Sequence, residues 1–462
     1  MTAATAARIA AAVRAGAPPV DAVRTALDVI EQLDGDLGAF ATVRRDRALR
    51  EAALLAGRSD LARLPLAGVP VAVKDTVPVG GIAPWTDPSS PARADHPMVT
   101  RLRAAGAVVV GTTTASDASL WPTTDGHAPD GRLVVTRNPW NSARTAGGSS
   151  GGAAAAVAGG LVPVAQGSDS LGSVRIPAAA CGVVGVKPGA GLVRPVSVDP
   201  RTGRPVRGGD WFGLMTHGAL ATTVEDAALL LSVLAGRSGL AAVADPPRCL
   251  RVAVSVRAPA PGVRTSREGV RAAFEVAGVL RRAGHDVERA EPRYPASVSR
   301  GTLARWAAAA AQDLDAVPPG RRGDVQPRTV RHAALGRRMR PQVRAEDVGT
   351  WQAAAERFLA GRALLLTPPV ATAPPAASAW SRRSWTANVV SSLRWTGGFA
   401  APWNLAGWPA LSLPAGHDAA AGVPLGVQLV ARPGDESLLL AVAALIEARQ
   451  PWPRVATRKM RR

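Results

Sequence analysis

Cysteine is almost absent from this chain: Cys181 and Cys249 are the two in 462 residues, too few for a disulfide framework. No histidine and cysteine cluster has the spacing of a zinc site, so no metal and no other cofactor is expected. Lysine is nearly as scarce. Lys74, Lys187 and Lys459 are the three among 55 basic residues, the other 52 being arginine. Long apolar runs are missing as well. The N-terminal MTAATAARIAAAVRAGAPP is alanine-rich, but Arg8 and Arg14 interrupt it before a signal-peptide core could form. The uncharged stretch over residues 146–168 is mainly glycine, serine and alanine and would insert poorly into lipid. These absences lead to the expectation of a reducing, cytoplasmic compartment and no membrane partner.

The formal charge is +20, which raises the question of nucleic acid or an anionic surface. With alanine, glycine and proline also in excess, a codon-level bias toward arginine is the simpler cause. Residues 321–344 hold eight arginines against one acid, Asp324, and no aromatic side chain on which a base could stack. Nucleic acid is not an expected partner; a homodimer remains open. Hydrophobic residues at 47% and charged ones at 19% describe an ordinary globule, and 47 glycines with 39 prolines promise many turns.

Val20, Val23, Leu27 and Ile30 recur at helical spacing, so residues 1–60 read as a flanking layer of amphipathic helices. From Val69 the pattern changes to short apolar runs at 69–73, 107–110, 161–165, 251–256, 363–366 and 425–430, separated by helical segments. Such alternation predicts one α/β domain over residues 1–462, a mixed sheet with helices on both faces. TVEDAALLLSVLAG, 223–236, has the capping and stop signals of a complete helix. Residues 249–290 read as strand, helix, strand. Residues 316–348, rich in arginine, proline and glycine, read as an exposed excursion.

Three segments carry chemistry. Lys74 ends the apolar run GVPVAVKDT; desolvation there would favour the neutral amine and make it a base, although a strand-end lysine can also reach solvent. RTAGGSSGGAAAAVAGG, 144–160, is a glycine-serine loop running into an alanine helix. Its glycines allow close backbone approach, yet a flexible loop looks much the same. No GK[ST] closes it as a phosphate loop, but Gly147 to Gly151 also fit G-x-S-x-G, the nucleophile elbow, with His417 downstream. GSDSLGSVRIP, 167–177, puts a turn of backbone N–H groups ahead of Ser173, able to supply an oxyanion hole and a nucleophile, or simply a serine-rich turn fixed by Asp169 and Arg175.

Together the three segments resemble the amidase signature family. The similarity extends through TRNPWNSARTAGGSSGG, CGVVGVKP at 181–188, FAAPWNLAGWPALSLPAG and GVPLGVQLVARPGDESLLL, spanning about residues 20–240 and 360–450. It implies an α/β/α amidase fold and hydrolysis of a small-molecule amide without a cofactor. It further implies Ser173 as nucleophile, Ser149 as proton bridge following a cis peptide, and neutral Lys74 as base. The backbone N–H groups of Ser170, Leu171, Gly172 and Ser173 would form the oxyanion hole, with Asp169, Arg175 and Ser150 supporting them.

The chain departs from the family pattern at Leu171, where glycine is usual, at Thr114 for asparagine and at Ala146 for proline. A positive φ at Leu171 would be costly. Trp380, Trp385, Trp395, Trp403 and Trp408 fall where the resemblance places an acyl pocket, and either wall it or pack the core. Three other readings compete: an α/β-hydrolase with Ser149 as nucleophile, the amidase subunit of a tRNA-dependent amidotransferase, and a non-catalytic binding protein of amidase fold.

Overall fold

The computed structural model describes residues 4–83, 90–127, 132–193, 196–198, 205–206, 209–378 and 380–456. Eleven strands form one mixed sheet. From edge to edge they are Phe40–Val43, Val108–Thr113, Pro70–Lys74, Val164–Asp169, Thr216–Ala221, Val184–Lys187, Ala410–Asp418, Val423–Val430, Leu364–Thr367, Arg251–Val254 and Asp286–Arg289. Alternate residues of a strand point to opposite faces, and the core divides accordingly. Val71, Val73, Val109 and Val164 join one cluster with helices Val224–Ala235, Arg267–Arg282 and Glu436–Arg449. Ala72, Val108, Val110 and Ala165 join the other with Pro19–Leu37, Arg45–Leu55 and Gly151–Ala158. With helices on both faces, the strands are buried on both sides, which explains their continuous apolar character.

All six expected apolar runs enter strands, and 249–290 forms a parallel strand–helix–strand unit. The 223–236 helix is capped as its sequence indicates: Thr223 Oγ1 accepts from the Asp226 N–H at 3.0 Å, and Gly236 closes it with φ +65°. The N-terminal layer contains more than helices, because Phe40–Val43 pairs antiparallel with Val108–Thr113 as the sheet edge. Val184–Lys187, Thr216–Ala221 and Ala410–Asp418 are further strands without a clear pattern of their own. Their glycine, alanine and proline content is tolerated because neighbours on both sides supply the packing.

Residues 316–348 differ most from the exposed excursion expected. Several of their arginines are exposed, but helix Pro327–Met339 packs on helix Ala296–Ala316 and buries Arg328, Thr329, His332, Ala333 and Gly336. Apolar periodicity was too sparse to reveal that face, because polar side chains and a glycine make the contact. A Cβ on Gly336 would lie 1.7 Å from the Ala307 carbonyl oxygen. Gly336→Ala is expected to force the two helices apart and cost about 1–3 kcal/mol, measured as a lower urea midpoint at unchanged slope.

Candidate active site

Pro70–Lys74 and Val164–Asp169 lie side by side and parallel, so both deliver their C-terminal residues to one edge of the sheet. Lys74 is the last residue of the first strand, and Asp169 is the last of the second, leading into the turn that carries Ser173. The helix Gly151–Ala158 starts at the same edge, with Ser149 and Ser150 just ahead of it. Open α/β sheets characteristically place their sites at the carboxyl ends of strands.

Lys74 is fully buried. Its Nζ is 2.7 Å from Ser149 Oγ and 2.9 Å from Ser168 Oγ. Burial pushes its pKa down to about 8, against the opposing charges of Asp75 and Asp169, so the neutral amine is accessible near physiological pH. Its backbone N–H donates to Gln166 Oε1 at 3.1 Å.

Ser149 follows a cis peptide from Gly148. Its carbonyl accepts from the Ser116 N–H at 3.2 Å. Ser150 ties this loop to the next: its N–H donates to the Ser173 carbonyl at 3.1 Å, and its Oγ donates to the Ser168 carbonyl at 3.2 Å. Ser173 is half-buried. Among the described residues no hydrogen bond joins the Ser149 and Ser173 hydroxyls.

The Ser173 turn is organised by Asp169. Its carboxylate accepts backbone N–H groups from Gly172 at 2.7 Å and Val174 at 3.1 Å. It also receives the Arg175 guanidinium as a fork, Nη2 to Oδ1 at 2.9 Å and Nε to Oδ2 at 3.0 Å. Both side chains are fully buried. Desolvation alone would raise the Asp169 pKa, but the charge and hydrogen bonds of Arg175, with Lys187 and Asn404, hold it well below the usual carboxylate range. Lys187 is itself buried, and that burial, with the Arg175 charge, lowers its pKa to about 7. The other Arg175 donors reach Asn404 Oδ1 at 2.6 Å, Gln428 Oε1 at 2.7 Å and the Ala400 carbonyl at 3.0 Å.

One expected oxyanion donor is thereby engaged: the Gly172 N–H is directed at Asp169. Among the described residues the N–H groups of Ser170, Leu171 and Ser173 have no protein acceptor. Leu171 does not have a positive φ; Gly172 does, at +114°. A Cβ on Gly172 would lie 2.7 Å from both Ala400 Cβ and Ile176 Cδ1. The position that requires glycine therefore has one, and Leu171 packs its side chain on the cluster containing Trp121, Trp306 and Trp403. Thr114 contributes backbone, its carbonyl accepting from Gly152 N–H at 3.0 Å. Ala146 is fully buried.

Trp380, Trp395, Trp403 and Trp408 are buried, in keeping with core packing, while Trp385 is half-buried. His417, required by the elbow reading, is exposed with its ring 6.2 Å from Trp140; Ser149 is bonded to Lys74 instead. Sequence reasoning missed Ser168, Gln166, Asn404 and Gln428. The last two stand within quoted stretches, PWNLAG and GVQLV, whose polar residue amid apolar neighbours was the available signal. Among the described residues no group of three or more histidine, cysteine, aspartate or glutamate side chains could hold a metal ion, and no helix is long and apolar enough to cross a membrane.

The chain belongs to the amidase family, whose model matches residues 21–440. It is 39% identical over 441 residues to AmiB2 of Mycobacterium tuberculosis, covering 92% of this chain and 91% of that protein. It is 34% identical over 440 residues to the 6-aminohexanoate-cyclic-dimer hydrolase of Paenarthrobacter ureafaciens, covering 85% of each. A solved 6-aminohexanoate cyclic dimer hydrolase in complex with its substrate superposes with a TM-score of 0.85 at 30% identity, over 99% of both chains. The protein is an amide-hydrolysing enzyme.

Replacing Arg175 by Met would leave Asp169 a buried carboxylate without its counter-charge, an expected loss of about 3–5 kcal/mol. A depressed carboxylate pKa contributes stability that is complete above the unfolded value, about 4, and is lost as pH falls toward the folded one. The deficit of Arg175→Met relative to the unsubstituted chain should therefore shrink below about pH 4, as followed by urea unfolding across pH.

Proposed function

We propose that the chain hydrolyses a small-molecule amide through an acyl-enzyme on Ser173, with Ser149 and Lys74 as the proton relay. The observation that carries this reading is the fully buried lysine amine held 2.7 Å from the Ser149 hydroxyl. A serine hydroxyl is a poor nucleophile without an adjacent base. As Ser173 Oγ bonds to the carbonyl carbon, its proton passes to Ser149 Oγ, and the Ser149 proton passes to Lys74 Nζ. The hydrogen bond between the two serines closes when the acyl group is in place, since such contacts tighten on substrate binding. Collapse of the tetrahedral intermediate breaks the C–N bond, and the departing amine takes the proton back through Ser149. Water then repeats the sequence and frees Ser173.

The N–H groups of Ser170, Leu171 and Ser173 stabilise the oxyanion, each of order 3–4 kcal/mol if removed. Gly172 serves by its conformation, and Asp169 with Arg175 holds the turn. Two free cysteines, one buried and one exposed, are consistent with a cytoplasmic location.

A fluorophosphonate should label Ser173, identified by peptide mapping, and Ser173→Ala should abolish the label. Lys74→Met should slow labelling by about 10²–10⁴-fold, the usual contribution of a positioned base. Because the neutral amine is the active form, kcat/KM should rise with pH through about 8. Labelling at Ser149 instead, or a rate independent of Lys74, would overturn the relay.

Leu171 narrows the acyl side of the site through its side chain while its backbone N–H still serves the oxyanion. Leu171→Gly is expected to broaden the range of acyl groups accepted, compared by kcat/KM over an aliphatic and aryl amide series, with a modest change on the best substrate.

A further inference from the structure

Arg328 stands outside the resemblance, on the helix whose sequence carries no functional signal, yet it is the centre of a buried polar network. Its side chain is fully enclosed. Nε donates to Gln326 Oε1 and Nη1 to Asn388 Oδ1, both at 2.8 Å, Nη2 pairs with Asp125 Oδ1, and the guanidinium carbon lies 4.9 Å from the Trp121 ring centroid. Asp125 is held from other sides as well. Its second carboxylate oxygen accepts from the Ser381 N–H, and its carbonyl accepts from Gln326 Nε2, both at 2.8 Å.

Buried ion pairs seldom add net stability, because desolvation offsets their attraction; what they fix is geometry. Here the fixed segment lies directly against the catalytic loop. Thr124 Oγ1 donates to the Gly147 carbonyl at 2.7 Å and lies 3.4 Å from the Ser149 carbonyl oxygen. A Cβ on Gly148 would sit 2.8 Å from the Trp121 carbonyl oxygen, and one on Gly151 would sit 2.3 Å from Thr124 Oγ1. Residues 121–124 thus form the bed on which residues 147–151 rest. Two neighbours of Arg328 hold the bed and the segment ahead of it: Thr329 Oγ1 accepts from Trp121 Nε1 at 3.0 Å, and the Gln326 N–H reaches Asp117 Oδ2 at 3.3 Å.

We propose that Arg328 is a positioning residue for the catalytic reaction, which through Asp125 and Thr124 sets the place of Ser149 relative to Lys74 and Ser173. This rests on the serine relay proposed above. A displacement of about 1 Å at a reacting group can cost of order 10²-fold in rate, so a latch of this kind acts on turnover without touching substrate.

The test is the rate of Ser173 phosphonylation per folded molecule, with the folded fraction read by circular dichroism at the same temperature. It compares Thr124→Val, Arg328→Met, the charge-free pair Asp125→Asn with Arg328→Met, and the combination of that pair with Thr124→Val. The charge-free pair keeps the measurement available if Arg328→Met alone leaves Asp125 too costly to bury. Loss of the latch should lower the rate about 10- to 100-fold, and the combined variant should be no slower than its slower parent, because both act through one contact. An unchanged rate per folded molecule, losses that multiply, or failure of both latch variants to fold would each assign Arg328 a purely architectural role and overturn the inference. Absence of phosphonylation at Ser173 in the unsubstituted chain would instead overturn the serine relay on which it rests.

Discussion

The carboxylate of Asp169 is the point on which the site depends. It sits at the end of a central strand with no access to water, so every lone pair it presents must be met by a donor. The donors it gathers are the N–H groups of Gly172, Val174 and Arg175, the Arg175 fork and the Asn404 amide. Satisfying that one group bends the chain from strand to helix and leaves the neighbouring N–H groups pointing elsewhere. The turn is therefore shaped by what a buried charge requires, and the free donors beside Ser173 follow from it.

Lysine chemistry at this edge has a related origin. Burial discourages protonation of Lys74 and outweighs the carboxylates of Asp75 and Asp169, which favour it. Its hydrogen-bond partners are hydroxyls, Ser149 and Ser168, which accept from an amine without demanding that it be charged. Ser168 faces His217 across the sheet in register, and burial, with the charges of His96, Lys74 and Arg101, lowers the His217 pKa to about 3. No carboxylate is bonded to the lysine amine directly, so burial prevails over the more distant anions and the lysine can exchange a proton rather than serve as a fixed charge.

The α/β class, the two-sided sheet and the three segments that meet at the candidate site were legible because they write themselves as local patterns. Apolar runs beginning at Val69 and Ala107 mark strands, Thr223 and Gly236 mark a helix, and GGSSGG is a contiguous string. Asn404 and Gln428 were harder to see because their roles come from meeting Arg175 across more than two hundred residues of chain, which neither periodicity nor spacing records. The helix at 327–339 was missed for a different reason. It buries an arginine, a threonine, a histidine, an alanine and a glycine, and a face with one small apolar side chain has no hydrophobic signature. Leu171 looked like a conflict because the string alone could not say which residue of the turn takes the left-handed conformation; that residue is Gly172.

The helix Gly151–Ala158 consists of glycine, alanine and one valine, and every residue in it is buried. A Cβ on Gly152 would meet the Ala39 and Thr114 carbonyl oxygens at 2.4 and 2.5 Å. None of these side chains has a flexible arm that could fold aside, so larger replacements have nowhere to go. In a library of random variants this stretch will read as a block of intolerance as severe as the serines beside it. Depletion there reports lack of room and says nothing of chemistry, so tolerated diversity beside the candidate site has to be sought at half-buried positions such as Leu171, where the side chain has a free side.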